Sequence, residues 1–390
     1  MFEPSRKAGL AALDRFVPQA GRHYTDHRNH DYGPDRRENI SMLSPYVRHR
    51  LISEQDVVAA VLNAHSSAAA EKFVQEIFWR TYWKGWLQQR PTVWQQYLAE
   101  LEYQKSRKIF GLESALNGET GIECFDHWVD ELRNIGYLHN HARMWFASIW
   151  IFTLRLPWQL GADFFLTHLL DGDPASNTLS WRWVAGLQTI GKHYMASADN
   201  IERYSVGRFE RPELAMHAEP LTGIDHPNPV PIIRVPAPPS GRYMLLLTEE
   251  DMFPLDALPK GVEIISLATV DPVQPCAPDV ATFRQAALQS AANDLSAHLG
   301  VAAKSIGDWN ALDLVDWAKE CGVANIVTAA APVGFVAPKL ELLAQGLAAH
   351  GVKLHYVRRE WDDLCWPHAR KGFFAFKEKI PVILRDLNLA

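Results

Sequence analysis

Cysteine is scarce: the 390 residues hold four, Cys124, Cys276, Cys321 and Cys365, with no Cys-x-x-Cys pair. That spacing excludes a disulfide framework and offers no zinc or iron–sulfur ligand set, so no metal is expected. Long hydrophobic runs are also missing, and the opening MFEPSRKAGL lacks the apolar segment of a signal peptide. A cytoplasmic protein with no membrane partner is expected. Neither sign of charge dominates. A net charge of −6 excludes a polybasic nucleic-acid tail but leaves room for a local basic groove, and residues 1–220 are nearly balanced at 24 Lys and Arg against 26 Asp and Glu.

What the chain has in excess is tryptophan, with ten of fourteen before residue 190. Large aromatics usually pack as core. So local an enrichment also suits an aromatic cofactor or a redox path.

The length exceeds what one core usually holds, and the chain changes character midway. Residues 1–219 read as helices and loops. The pattern predicts helices over 7–16, 53–63, 66–89, 124–134, 140–154 and 161–170, a polar loop over 23–37, and a helix started by Pro174. Ser53 ahead of Glu54 and Asp56 reads as an N-cap. Seven prolines between 220 and 240 mark a linker. Beyond it, residues 241–390 alternate apolar β-like runs (243–248, 262–267, 325–328, 353–357, with a short run at 304–306) and helical stretches (282–299, 311–321, 338–350). That alternation predicts a Rossmann-like parallel α/β unit. It has no G-x-G-x-x-G loop, which favours a structural or partner role over phosphate binding.

Several side chains fit a plain core poorly. The hydroxyls of SMLSP at 41–45 suit either a helix cap or phosphates. Phe73, Glu76, Arg80 and Trp83 share a helix face beside Trp79, where Glu76 and Arg80 read as a solvated pair or as ligand contacts. Asn140, Arg143 and Met144 share another face. An Arg on an apolar helix needs an acid or phosphate, and Asp171 and Asp173 are the nearest in sequence. Trp181 and Trp183 project roughly 200° apart on a helix, so one can line a pocket while the other enters the core.

Taken together, FWRTYW at 78–83, NGETGIECFDHWVDELRNIGYLHNHARM at 117–144 and DGDPASNTLSWRW at 171–183 resemble signature segments of the photolyase/cryptochrome family. The resemblance runs through residues 5–205 and implies an all-helical FAD-binding domain. By position it places Tyr24, Ser41, Leu43 and Ser44 along the phosphates and adenine of FAD, and Phe73, Arg80 and Trp83 in the same cavity. Asn140, Arg143, Asp171, Asp173 and Asn177 surround the flavin ring, with Asn177 near its N5. Asn at 177 is the photolyase-like choice; plant cryptochromes carry Asp and animal ones Cys. Glu76, Trp79, Asn140, Met144 and Trp183 match positions that contact a flipped-out cyclobutane pyrimidine dimer. Position 141 is His where many dimer photolyases have Arg. Trp181 and Trp158 match the proximal and middle members of the family's tryptophan electron path, and no Trp stands at the third place, around 109–111.

Two departures stand out. VAGLQTIGKHYMASADNIERYS follows Trp183 in place of the usual Pro-Tyr-Phe-Arg run, and the α/β unit resembles the family's antenna domain but follows the flavin domain instead of preceding it. WPHARKGFFAFKEKIP resembles that domain's closing segment. TEEDMFP after the first strand leaves no antenna chromophore to carry over. The resemblance implies a light-dependent DNA-repair lyase acting on UV-damaged DNA by electron transfer from excited, reduced FAD. A cryptochrome-like photoreceptor with a protein partner is the alternative. Arg36, Arg37, Arg48, Arg50, Lys105, Arg107, Lys108, Arg182 and Lys192 are candidates for a basic DNA rim.

Overall fold

The structure is a computed structural model that describes residues 2–223 and 225–389. Its first half is helical: α1 (Arg6–Phe16), α2 (Arg22–His27), α3 (Ser44–Arg48), α4 (Glu54–Ala64), α5 (Ser67–Gln88), α6 (Pro91–Lys105), α7 (Leu112–Asn117), α8 (Glu123–Ile135), α9 (Asn140–Ser148), α10 (Trp158–His168), α11 (Pro174–Val184) and α12 (Ala198–Tyr204). The Ser53 cap is a reciprocal capping box with Asp56 at the start of α4, and Ser66 caps the long α5. α9 runs on through a π-helical turn, Ile149–Thr153, so the single helix read over 140–154 has two kinds of hydrogen bonding. The stretch 23–37 is not all loop: α2 forms there with only Tyr24 of its side chains buried, too little apolar surface to show as periodicity. α6, α7 and α12 also escaped the pattern reading.

The second half is a five-stranded sheet of parallel pairs in the order β3-β2-β1-β4-β5: β1 (Gly241–Leu247), β2 (Val262–Val270), β3 (Ala302–Gly307), β4 (Asn325–Ala329) and β5 (Lys353–Val357). Helices α13 (Pro278–Leu299), α14 (Ala311–Glu320) and α15 (Val336–Ala348) supply the crossovers. Alternation along β1 divides the burial. Tyr243, Leu245 and Leu247 join a core shared with the helical half, while Met244 and Leu246 face Leu314, Leu340 and Leu343 in a second core.

Two features bind the halves. First, the carboxyl edge of the sheet is turned toward the helices. Glu250, after β1, takes a bidentate pair from the fully buried Arg48 at the end of α3 (both contacts 2.8 Å). Arg48 also donates through Nε to the Gly172 carbonyl at 2.9 Å. Asp251 pairs with Arg359, after β5 (2.6 Å), and Arg50 with Asp362 (2.7 Å). Arg50 sits at φ +51, a strained setting for a side-chain-bearing residue, and three acids (Glu54, Asp251 and Asp362) lie within 3.5 Å of its guanidinium. Second, the chain returns after β5. Helices α16 (Glu360–Cys365), α17 (Phe373–Lys377) and α18 (Ile380–Asp386) follow the sheet. The first two pack on α5, with Trp361 stacked on Phe78 (centroids 4.7 Å) and Phe373 on Trp79 (3.6 Å, 11°). Gly85 permits this approach, since a Cβ there would lie 2.8 Å from the Trp366 backbone.

Candidate active site

The helical half encloses a cavity of about 530 Å³. Its floor is the DGDP turn. Asp173 caps α11 by accepting from the Ser176 N–H at 2.6 Å, and Pro174 at the first helical position leaves no donor stranded. The same turn aims Asp171 at α9, where Arg143 holds it in a two-pronged pair (3.1 and 3.0 Å). Arg143 also donates from Nε to the Leu138 carbonyl (2.9 Å), which fixes the plane of its guanidinium.

Cations gather beneath this floor. Arg80 lies 3.9 Å from Asp171, and Lys84 and Arg48 lie 3.5 and 3.8 Å from Asp173. Burial alone pushes both carboxyls up. For Asp171, Arg143 and Arg80 outweigh it and hold the acid below the ordinary carboxylate range; for Asp173, Lys84, Arg48 and Arg80 do so more strongly. Both stay ionised at neutral pH. Glu76 differs: burial raises its carboxyl and Arg28, 2.5 Å away, only partly offsets that.

Of the residues singled out in the sequence, the cavity gathers Tyr24, Ser41, Leu43, Ser44, Phe73, Glu76, Trp79, Arg80, Trp83, Asn140, Arg143, Met144, Asp171, Asp173, Asn177, Trp181 and Trp183. Neither hydroxyl of SMLSP caps α3; Leu43 occupies the cap position, and both Ser side chains border the cavity. Asn177 donates through Nδ2 to the Ala162 carbonyl at 2.8 Å. Trp181 and Trp183 both line the cavity but in different settings. Trp181 is buried among Phe165, Phe146 and Trp150 (5.1, 6.3 and 6.3 Å), while the half-buried Trp183 stacks on Tyr194 (5.7 Å).

Other residues fall elsewhere. Trp158 is buried at the start of α10 against Tyr97 (5.5 Å), outside the cavity lining. Arg37, Arg48, Arg50 and Arg182 are buried, so they leave the expected basic rim. The first three face Glu131, Glu250 and Asp362, because a buried guanidinium needs an acid. Arg36, Lys105, Arg107, Lys108 and Lys192 remain exposed. Sequence reading missed Tyr137, whose ring lies under Arg143 (5.2 Å) and Arg37 (4.9 Å), and Phe374, which reaches the cavity from α17. Tyr137 stood inside a quoted motif; nothing local pointed Phe374 there.

Residues 73–205, from within α5 to just beyond α12, match the family model described as the FAD binding domain of DNA photolyase. Curated relatives are deoxyribodipyrimidine photo-lyases. The protein from Alkalihalophilus pseudofirmus is 34% identical over 157 residues, covering 40% of this chain and 33% of that one. Those from Streptomyces griseus and Thermus thermophilus are 30% and 31% identical, covering 49% and 47% of this chain and 46% and 43% of theirs. The chain thus spans between about a third and just under half of these relatives' length. Among solved structures, a class III photolyase from Agrobacterium tumefaciens is similar at 24% identity and TM-score 0.41, covering 53% of this chain and 44% of that one. A Synechocystis cryptochrome is similar at 22% identity and TM-score 0.44, covering 52% and 43%. The match falls on the helical half, which carries the DGDP turn and the Arg143–Asp171 pair, and there the chain is similar to the FAD binding domain of DNA photolyase.

Proposed function

We propose that this protein is a light-dependent DNA-repair flavoprotein that splits cyclobutane pyrimidine dimers by electron transfer from excited, reduced FAD. One observation carries the reading. The residues matched to flavin contacts and those matched to dimer contacts line a single cavity, so cofactor and lesion can meet without crossing protein.

The cavity's own atoms fit FAD. Among the described residues, Arg80 Nη1, Ser176 Oγ and Trp181 Nε1 are buried with no protein partner, and unmet polar atoms of this kind suit a ligand rich in oxygen and nitrogen. Tyr24, Ser41, Leu43 and Ser44 would hold the phosphate and adenine side, with Phe73, Arg80 and Trp83 beside them. Asn140, Arg143, Asp171, Asp173 and Asn177 would hold the ring. When bound, FAD supplies light absorption and the electron. The chain's residues do the rest. Asp171, kept ionised and clamped by Arg143, presents a fixed acceptor, and Asn177, with one N–H on the Ala162 carbonyl, has a second to offer. Trp79 and Trp183 would bracket the extruded bases and exclude water, while Glu76 and Asn140 meet their polar edges and Met144 fills the apolar gap. Trp181, and Trp158 behind it, would return electrons to the cavity in light. The α/β half would serve as an antenna-like unit, and no chromophore is assigned to it.

A photoreceptor with a protein partner is the second reading, favoured by the exposed apolar side chains Met216 and Ile233 in the extended segment before β1. The test is blue-light repair of a dimer-containing oligonucleotide, single- and double-stranded, with a reductant present. Restored thymines support repair. A flavin-loaded protein that restores none on either substrate removes it and leaves signalling. Trp183→Ala should weaken dimer binding while flavin content holds.

A further inference from the structure

The C-terminal segment 366–379 joins the cavity from the far end of the chain. Phe374 on α17 lines the cavity although 81% of it is exposed. Its neighbours fix it there: Phe373 stacks on Trp79 at 3.6 Å, and Phe376 is fully buried against Tyr82 (5.5 Å) and Phe78 (6.1 Å). The backbone before it is pinned as well. Gln89 Nε2, Arg90 Nη2 and the Tyr82 hydroxyl donate to the carbonyls of Trp366, Arg370 and Lys371, each at 2.8 Å. A large apolar side chain held in water on so rigid a mount lacks a packing role inside the chain.

Its surroundings are basic. Arg370, Lys371 and Lys379 are exposed and border a surface hollow with His368, while Glu378 is the segment's one acid, in a chain whose net charge is −6. Lys377, the fourth cation, is engaged by Glu71 at 2.9 Å.

We infer that this segment is a contact surface for the polynucleotide strand flanking the base in the cavity: Phe374 stacks on a neighbouring base, and Arg370, Lys371 and Lys379 meet backbone phosphates. An exposed aromatic among cations at the mouth of a base-sized cavity is the arrangement that grips a single strand. The inference rests on the repair reading, and its test separates the two.

Anisotropy titrations of a labelled, dimer-containing single strand compare the flavin-loaded wild type with Phe374→Ala, Phe374→Trp and the pair Arg370→Ala/Lys371→Ala. Losing one base stack weakens binding roughly 5- to 150-fold in Phe374→Ala, and Phe374→Trp restores it. The paired variant lowers the slope of log affinity against log salt by about 1.4. Flavin-to-protein absorbance ratios hold in all, which shows the fold intact. Variants that bind with wild-type affinity and salt slope would overturn the inference and leave the repair reading standing. A wild type that binds no strand, damaged or intact, would overturn both.

Discussion

Removing Glu250 tests whether the α/β half is a structural part of the cavity. Glu250→Ala takes both 2.8 Å partners from Arg48, which has no exposed surface. The guanidinium keeps the Gly172 carbonyl, Gln274 at 3.2 Å and Asp173 at 3.8 Å, with Glu249 farther off, but loses the one acid that pairs with it directly. Breaking a buried pair by removing one partner costs about 3–5 kcal/mol. At about 2.1 cal/mol/K of unfolding entropy per residue, a chain of 390 residues melting as one unit loses about 4–6 °C in Tm. Calorimetry should show that shift. Flavin retention should fall with it, because Arg48 also holds the DGDP turn that carries Asp171. The double variant Arg48→Met/Glu250→Leu, which replaces the pair by apolar groups, should recover much of the loss. A shift below about 1 °C would place the pair with surface ion pairs worth under about 1 kcal/mol, and the buttress reasoning would fail.

Three further outcomes follow from the same geometry. In Gly161→Ala, the added Cβ would sit 2.6 Å from Cζ3 of the Trp181 ring and 3.0 Å from Trp150; overpacking of about 1–3 kcal/mol should lower Tm and loosen flavin, and an unchanged melt with unchanged tryptophan emission would refute the contact. Glu131 is pushed up to about 7 by burial, against the pull of Arg37, whereas an unfolded Glu titrates near about 4.3. The folded state therefore holds this proton more tightly, so its stabilising effect is complete below about pH 4 and is lost as pH rises through 7. Burial lowers His139 to about 4, which works in the opposite sense, so the quantity to measure is Tm of wild type minus Glu131→Gln across pH 4–8; a difference that does not fall with pH contradicts the assignment. Finally, Trp181→Phe, which removes the Nε1 donor, should hold flavin less tightly, and its flavin-loaded fraction should show light-driven reduction by an added thiol slowed at least about tenfold; wild-type kinetics of that fraction would take Trp181 off the path.

Much of the site was legible because its chemistry is local in sequence. The cost of burying a lone guanidinium points Arg143 to Asp171 or Asp173, and the structure selects Asp171 at 3.0 Å. Helical geometry splits Trp181 from Trp183; the structure makes one buried and the other half-buried, but both line the cavity instead of one entering the core alone. The sheet was legible from its alternation, including the short β3. What stayed hidden depends on long-range packing. Arg48 and Arg50 looked like rim cations because their acids, Glu250 and Asp362, lie 202 and 312 residues away. Phe374 stands in WPHARKGFFAFKEKIP, where the sequence offers only a resemblance to the antenna domain's closing segment, and the return of α17 onto α5 brings it to the cavity. α2 carries no helical signal in the sequence because a six-residue helix with one buried side chain leaves no period to read.

The packing of the two halves also bears on what the sheet can do. In open parallel sheets, ligands bind outside the carboxyl ends of the strands, where the strand order reverses. Here that point lies between β1 and β4. The turn after β1 sends Glu249, Glu250 and Asp251 into Arg284, Arg48 and Arg359. The loop after β4 packs against the helical half: the Val333 N–H donates to Gln88 Oε1 at 2.9 Å, Phe335 meets Trp94 edge-on at 5.2 Å, and a Cβ on Gly334 would touch Pro174 at 3.1 Å. Glu250 and the loop after β4 are thus engaged with the helical half, while Glu249 and Asp251 are held by Arg284 and Arg359 of the α/β half itself. TEEDMFP, which in sequence only marks a lost resemblance to the antenna domain, supplies Glu250, the acid that fixes Arg48 and, through it, the DGDP turn. On this reading the α/β half's first effect on the site is mechanical, and it acts on the turn that holds Asp171 and Asp173.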